Sequence, residues 1–272
     1  MTCPFNWRPS RWRALAALTL ALFAVGGCGS DPKDDLTGRT AEKLYAEAKE
    51  DMDSGSYSRA IKSLERVEGL GAGTLLSQQA QLDLAYLYWK TQERAQGLAT
   101  LERFIKFNPS SPALDYALYL RGLMNFNEDL GLLGRLARQD VSERDQRASR
   151  DAYQSFKQLV EQFPSSRYAD DARVRMAFIV NTLAAYEVHV ARYYYRRGAY
   201  VAAANRAQQA VTEFQQSPAV EEALHLMVLS YDKLDLVPLR DAAARVLANN
   251  FPASRYLDAK AQEPGRPWWR FW

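Results

Sequence analysis

Phe163-Pro164-Ser165-Ser166-Arg167-Tyr168-Ala169-Asp170 returns near the end of the chain as Phe251-Pro252-Ala253-Ser254-Arg255-Tyr256-Leu257-Asp258. A looser copy stands earlier, Phe107-Asn108-Pro109-Ser110-Ser111-Pro112. The phrase is punctuation between helices. Its aromatic residue closes an apolar stripe, its proline stops the helix, and its serine is placed to cap the next one. Acidic residues then fall in the first turn, where the helix dipole favours them. A phrase that recurs at this interval marks a chain built from repeated helix pairs.

Counting back from each stop recovers a tetratricopeptide pattern. In the clearest unit Leu84, Ala85 and Tyr88 lie on the first helix, Gly97, Leu101 and Phe104 on the second, and Pro109 ends it. Small residues at these spacings let two antiparallel helices approach, while larger ones fill the space between. The first unit shows Leu44, Ala48, Gly55, Tyr57, Ala60, Leu64 and Val67. The fourth shows Ala191, Tyr194, Gly198, Tyr200, Ala203, Ala207 and Ala210, and the fifth Leu224, Met227, Tyr231, Ala244, Leu247 and Pro252. The third is broken: helices over about 113–128 and 145–163 flank an apolar, basic insert beginning at Asp129. The helix opening the fourth unit, about 168–197, is overlong. The expected fold is an all-α, right-handed superhelix of about five tetratricopeptide-type pairs, with an insert in the third.

Ahead of the repeats comes an export signal. Arg8, Arg11 and Arg13 precede the apolar run ALAALTLALFAV at 14–25, too short to span a bilayer comfortably. Val25-Gly26-Gly27-Cys28 follows and resembles the lipobox of bacterial lipoproteins, which makes Cys28 the lipidated residue once 1–27 are cleaved. Gly29 and Ser30 come next rather than the Asp that such lipoproteins carry for inner-membrane retention, so the expected address is the periplasmic face of the outer membrane. Residues 28–40 read as a flexible tether, 41–110 as repeats 1–2, 111–260 as repeats 3–5, and 261–272 as an aromatic tail ending Trp268-Trp269-Arg270-Phe271-Trp272.

Charge and chemistry narrow the function. The excess of 35 Lys+Arg over 32 Asp+Glu lies wholly in the three arginines of the signal. The mature chain is neutral and mixed, without the footprint that nucleic acid demands. Cys28 is the only cysteine left after processing, and with His189 and His225 alone no usual structural zinc site can be built. Neither histidine has a nearby cysteine or an elbow serine, and the acid pairs Asp170-Asp171 and Glu221-Glu222 are explained as helix starts. No phosphate loop follows a strand; the glycines at 69–73 read as a turn between units. We therefore expect no enzyme activity, no metal and no cofactor. Fifteen tyrosines are the unusual feature. Tyr88 and Tyr194 are packing residues of the repeat, whereas Tyr86, Tyr116 and Tyr193 are off the pattern and suit peptide recognition.

Three stretches, 115–123 (DYALYLRGL), 144–164 and above all 183–206 (LAAYEVHVARYYYRRGAYVAAANR), are similar to the BamD family of the outer-membrane β-barrel assembly machinery. The likeness spans essentially the whole mature chain to about Tyr256. It implies a lipid-anchored scaffold whose partners are the barrel-forming subunit, through its periplasmic domains, other accessory lipoproteins, and unfolded outer-membrane proteins. Arg206 matches a basic position that contacts the barrel subunit, and Tyr193, Arg196 and Arg197 are grouped with it as partner-binding residues. Tyr86, Tyr116, Tyr119 and Arg121 are assigned to an N-terminal groove for the C-terminal signal of unfolded substrates. The rival readings are another envelope repeat lipoprotein such as a secretin pilotin, which the insert opposes, and a cell-wall hydrolase, for which the sequence nominates no acid.

Overall fold

Ten α-helices make up the described residues, 39–126 and 146–257 of a computed structural model, with no strand among them. They are α1 (Ala41–Asp53), α2 (Tyr57–Leu70), α3 (Leu75–Lys90), α4 (Arg94–Phe107), α5 (Leu114–Asn125), α6 (Gln146–Gln162), α7 (Ala169–Arg196), α8 (Tyr200–Glu213), α9 (Ala219–Lys233) and α10 (Val237–Asn250), then a 3-10 turn, Arg255–Leu257. The helices pair in chain order, and each packs chiefly on its neighbours in sequence. This is the all-α superhelix of tetratricopeptide-type pairs. The signal, Cys28, the insert and the aromatic tail lie outside the described residues.

Two kinds of turn build the array. Within a pair, one residue adopts the left-handed conformation: Gly55 at φ 77°, Gln92 at 67°, Gly198 at 79° and Asp235 at 56°. Each is followed by the same closing bond, from the amide of Ser56, Glu93, Ala199 and Leu236 to the carbonyl of Asp51, Tyr88, Tyr194 and Tyr231. That is the Schellman closure, which satisfies carbonyls the helix end leaves open. Between pairs the serine phrase takes over. The amides of Ser111, Ser166, Ser217 and Ser254 bond the carbonyls of Asn108, Phe163, Phe214 and Phe251. Each serine hydroxyl then accepts the amide two residues on, at 3.2–3.4 Å. The serine makes a side-chain turn ahead of the helix and is not itself its N-cap, a correction to the expectation; the cap after Ser166 is Tyr168. The third use of the turn, Phe214-Gln215-Gln216-Ser217, is a copy of the phrase that its missing proline had concealed.

The apolar pattern sorts the cores. Leu44, Ala48, Ala60, Leu64 and Val67 meet Ala80, Leu84 and Leu87 in one cluster, and Leu82, Ala85, Leu101 and Phe104 meet Ala117 and Leu120 in the next. Gly97 lets α4 approach closely at its crossing, where a Cβ would sit 3.0 Å from the end of the Met124 side chain and 3.2 Å from the Ala85 carbonyl. In α10 the buried small residue is Ala243, one position before the expected Ala244.

Shifting residue numbers by 106 carries α4 onto α8 end for end, α3 onto the last sixteen residues of α7, and α5 onto the middle of α9. The left-handed Gln92 falls on Gly198 and Ser111 falls on Ser217. A shift of 88 carries α6 onto α10, so the two copies differ by the insert between α5 and α6. The molecule is thus two similar four-helix runs, with α1–α2 ahead of the first and the N-terminal half of α7 joining them.

Candidate protein-binding sites

Between α3, the start of α5 and the turn into α7 lies an open cleft of about 480 Å³. Its walls are Gln79, Leu82 and Asp83 from α3, Ala113 at the N-cap of α5 with Asp115 and Tyr116 in its first turn, and Arg167 and Tyr168 from the repeated phrase. The repeat geometry builds it, because first helices of successive pairs stand side by side and meet the turn that begins the next.

Both acids on the walls are held by neighbours. Tyr45 donates its hydroxyl to Asp83 at 2.8 Å, and Lys49 stands 3.6 Å from the same carboxylate. Ser166 donates to Asp115 at 2.7 Å. Tyr116 packs 5.6 Å from Tyr168, and burial, with Tyr168, Asp83 and Tyr86 close by, pushes its hydroxyl up to about 12. It stays neutral and offers a flat face with a donor at its tip. Arg167 lies 4.8 Å over the Tyr168 ring and donates to its hydroxyl at 2.6 Å, leaving an exposed cation at the rim.

Of the four tyrosine-groove candidates, Tyr116 alone lines the cleft. Tyr86 lies one turn away, edge-on to Trp89 at 6.2 Å, packed against two core clusters and under Lys90. Tyr119 stacks on Tyr168 at 4.7 Å and donates to Asp171 at 2.7 Å, so it props the wall from behind. Arg121 points to α6, donating to Ser155 at 2.9 Å and Gln158 at 3.0 Å; it is a strut between α5 and α6, outside the cleft. Sequence reasoning passed over Asp83, Asp115, Arg167 and Tyr168. The signal for the last two was present: punctuation needs Pro and Ser, yet Arg-Tyr is repeated with them. The cleft also draws on both sides of residue 110.

The partner-binding candidates cluster where α7 turns into α8. Arg196 and Arg197 are exposed at the end of α7. Tyr193, 46% exposed, accepts from Arg197 at 3.1 Å and lies under its guanidinium. Arg206 on α8 reaches back to Glu187 on α7 at 3.0 Å. The Glu187 side chain is 2% exposed and that of Arg206 42%, so the arginine has one face on a buried acid and one toward solvent. Of the histidines, His225 is buried and stacked on Tyr256 at 4.5 Å. Burial is the main cause that lowers its pKa; Arg255 adds to this and Glu222 opposes it. Among the described residues no cluster of acids, histidines or cysteines could hold a metal, and no helix is long and apolar enough to cross a membrane.

An all-α repeat with an open aromatic cleft at one junction and a basic surface at another is a binding scaffold in form. The chain belongs to the YfiO family of outer membrane lipoproteins, whose model matches residues 38–247. It is 46% identical over 258 residues to the outer membrane protein assembly factor BamD of Neisseria meningitidis serogroup B, covering 94% of this chain and 97% of that protein. It is 34% identical over 240 residues to the factor of the same name from Vibrio cholerae, covering 88% and 99%. Among solved structures, MamA aligns with 84% of the chain at 14% identity and a TM-score of 0.38.

Proposed function

We propose that this protein is an assembly factor for outer-membrane proteins, held by a lipid on Cys28 at the periplasmic face of the outer membrane and acting as a non-catalytic scaffold. The relatives' shared name supports the assembly role, and the match spans nearly their full length. In the finer reading, the Tyr116–Tyr168 cleft receives the C-terminal segment of an unfolded outer-membrane protein, while the surface around Tyr193, Arg196, Arg197 and Arg206 docks the barrel-forming subunit. Accessory lipoproteins complete the complex.

The observation that carries this reading is the cleft itself. Tyr116 and Tyr168 give an aromatic wall for an aromatic side chain, and the exposed Arg167 cation stands at the rim, where a terminal carboxylate would arrive. Flat aromatic surface with fixed polar tips binds extended peptides at little cost in side-chain entropy. The test is fluorescence anisotropy with a C-terminal peptide of an unfolded barrel protein and the same peptide amidated at its end. Arg167→Glu and amidation should each weaken binding about tenfold, and together little more than either alone. Equal binding by both peptides to both proteins would overturn the assignment. Cys28→Ala should yield an unprocessed or soluble form that takes up no acyl label; retained label would place the lipid elsewhere.

A further inference from the structure

Among the described residues of the first five helices, the exposed large apolar side chains are Leu70 at 51%, Leu75 at 74% and Phe107 at 70%. The fold brings all three to one end. Leu70 and Phe107 are the last residues of α2 and α4, and Leu75 is the first of α3. Helices α2 and α4 run parallel, with Glu68 of the first accepting from Arg103 of the second at 2.8 Å. Helix α3 runs against them, since Tyr88 meets Glu65 and Gln81 meets Glu68. Ser111, four residues past Phe107, donates at 3.0 Å to Gln78, three past Leu75, and ties the two turns side by side.

Phe107 departs from the repeat. At the other serine turns the aromatic residue stands just past the helix end, as Phe163, Phe214 and Phe251, and is at least partly buried. After α4 that place belongs to Asn108, whose side chain bonds the Phe104 carbonyl at 3.1 Å, and the aromatic falls one residue earlier, on the outside. The residues that match Phe107 in the other turns are Gln162, Glu213 and Asn250. Those later turns expose polar groups such as Ser165, Arg167, Gln215 and Gln216. At the far end of the same helices the within-pair turns are polar too, Ser54-Gly55-Ser56 and Thr91-Gln92-Glu93. A single exposed apolar residue needs no explanation, but three gathered at one end of the array form a patch.

Charge surrounds this patch. Lys106 lies 5.6 Å over the Phe107 ring, and Arg66 and Lys43 are exposed nearby; Glu42 is the acid in the first turn of α1. Apolar tips with cations set back around them suit the headgroup boundary of a bilayer, where the tips enter the interface and the cations meet phosphates. The chain also enters at this end. Helix α1 begins at Ala41 and turns tightly into α2 at 54–56, so Ala41 stands beside Leu70. The thirteen residues 29–41 allow at most about 45 Å between Cys28 and that point.

We propose that this end, carried by Leu70, Leu75 and Phe107, lies in the interface of the lipid bilayer, so that the protein stands on the membrane by its first two between-pair turns as well as by its acyl chains. This rests on the reading of Cys28 as the lipid anchor and adds what the folded part does beside it. Gln79 and Ala113 of the cleft stand within about a turn of the same end, which sets the cleft beside the bilayer.

The test uses the acylated full-length chain in vesicles of phosphatidylethanolamine and phosphatidylglycerol. Once the Cys28 sulfur is a thioether and Cys3 has left with the signal, one engineered cysteine is the only free thiol. Bimane is attached at Leu75→Cys, at Phe107→Cys, and at Gln96→Cys near the far end of α4, all exposed positions whose replacement should leave helicity and Tm unchanged. Lipids bearing a nitroxide near the headgroup should quench about half the emission at 75 and 107 and little at 96, which helix length places about 15 Å farther from the surface. Leu70→Ser with Phe107→Ser should at least halve the quenching at 75. Equal quenching at 75 and 96, or none at 75 and 107, overturns the proposal. So does shielding of these labels only when the barrel subunit is added, since the end then faces protein. Flotation of the same samples separates the two claims: a chain that floats without quenching keeps its anchor and loses the contact, and one that does not float loses both.

Discussion

Glu187 has 2% of its side chain exposed, and Arg206 on the next helix is the cation beside it. This gives Arg206 a structural duty before any partner arrives, and it changes how the residue must be tested. Arg206→Glu sets two acids together and leaves one buried. Removing one partner of a fully buried pair costs about 3–5 kcal/mol; with Arg206 42% exposed, screening brings the expected loss nearer 1–2 kcal/mol. The informative variant is Arg206→Gln with Glu187→Gln, where the second change restores the residue type that Gln81 supplies in the first copy. Its Tm should return to within a few degrees of the parent, while barrel-subunit binding stays weak if the arginine also contacts the partner. Restored Tm with full binding would assign Arg206 to structure alone. His225 gives a second residue-scale outcome. Its folded pKa is lowered from 6.5, chiefly by burial, so the folded chain keeps it neutral where the unfolded chain takes up a proton. Stability from the neutral ring is therefore present above pH 6.5 and lost as pH falls below it. Unfolding free energy measured between about pH 7.5 and 5.5 should fall more steeply for the parent than for His225→Phe. Matching slopes would remove His225 from the account.

Helix α5 shows how closely an element's packing is fitted. A Cβ on Gly122 would lie 2.4 Å from the Phe156 ring of α6, so the glycine is what lets a phenylalanine fill this crossing. In the second copy the sequence has Val228 and Ala244 at the corresponding positions. Gly122→Val alone should destabilise by about 1–3 kcal/mol through overpacking. Adding Phe156→Ala should recover part of that loss, a coupling read by urea denaturation of the cycle. Strict additivity would mean that the loss at Gly122 does not come from the Phe156 ring. The elements themselves were legible in sequence because their signals are local: aromatic-Pro stops, apolar spacing and glycine at two of the four pair turns. The overlong helix was expected at about 168–197 and runs Ala169–Arg196. The fits across elements were not legible. Glu187 reads as one more helical acid, and only the fold brings Arg206 to it from nineteen residues away. Arg121 stood in a tyrosine-rich stretch and was grouped with the groove, but helix phase turns it to α6. Tyr168 was hidden by its own regularity, since a residue in a punctuation phrase looks spent on punctuation.

At the scale of the molecule, each helix pair touches chiefly its neighbours, so damage at one junction need not spread to another. The cleft lies at the α3–α5–α7 junction and the basic surface at α7–α8, with the long α7 common to both. Separate duties for the two sites are thus mechanically possible on one scaffold. Tyr86 is a poor probe of substrate capture, because it packs against two cores and its removal should disturb the fold. The cleft is better addressed from its rim. The central claim is that substrate chains enter between α3 and α5 while the C-terminal half serves assembly. Its most direct measurement maps where a photoreactive C-terminal peptide of an unfolded outer-membrane barrel protein attaches to the full chain, by mass spectrometry of the adducts. The account predicts adducts at Gln79, Asp83, Tyr116 and Arg167, lost on Arg167→Glu with barrel-subunit binding intact; adducts confined to α8–α10, or cleft adducts indifferent to Arg167→Glu, would contradict it.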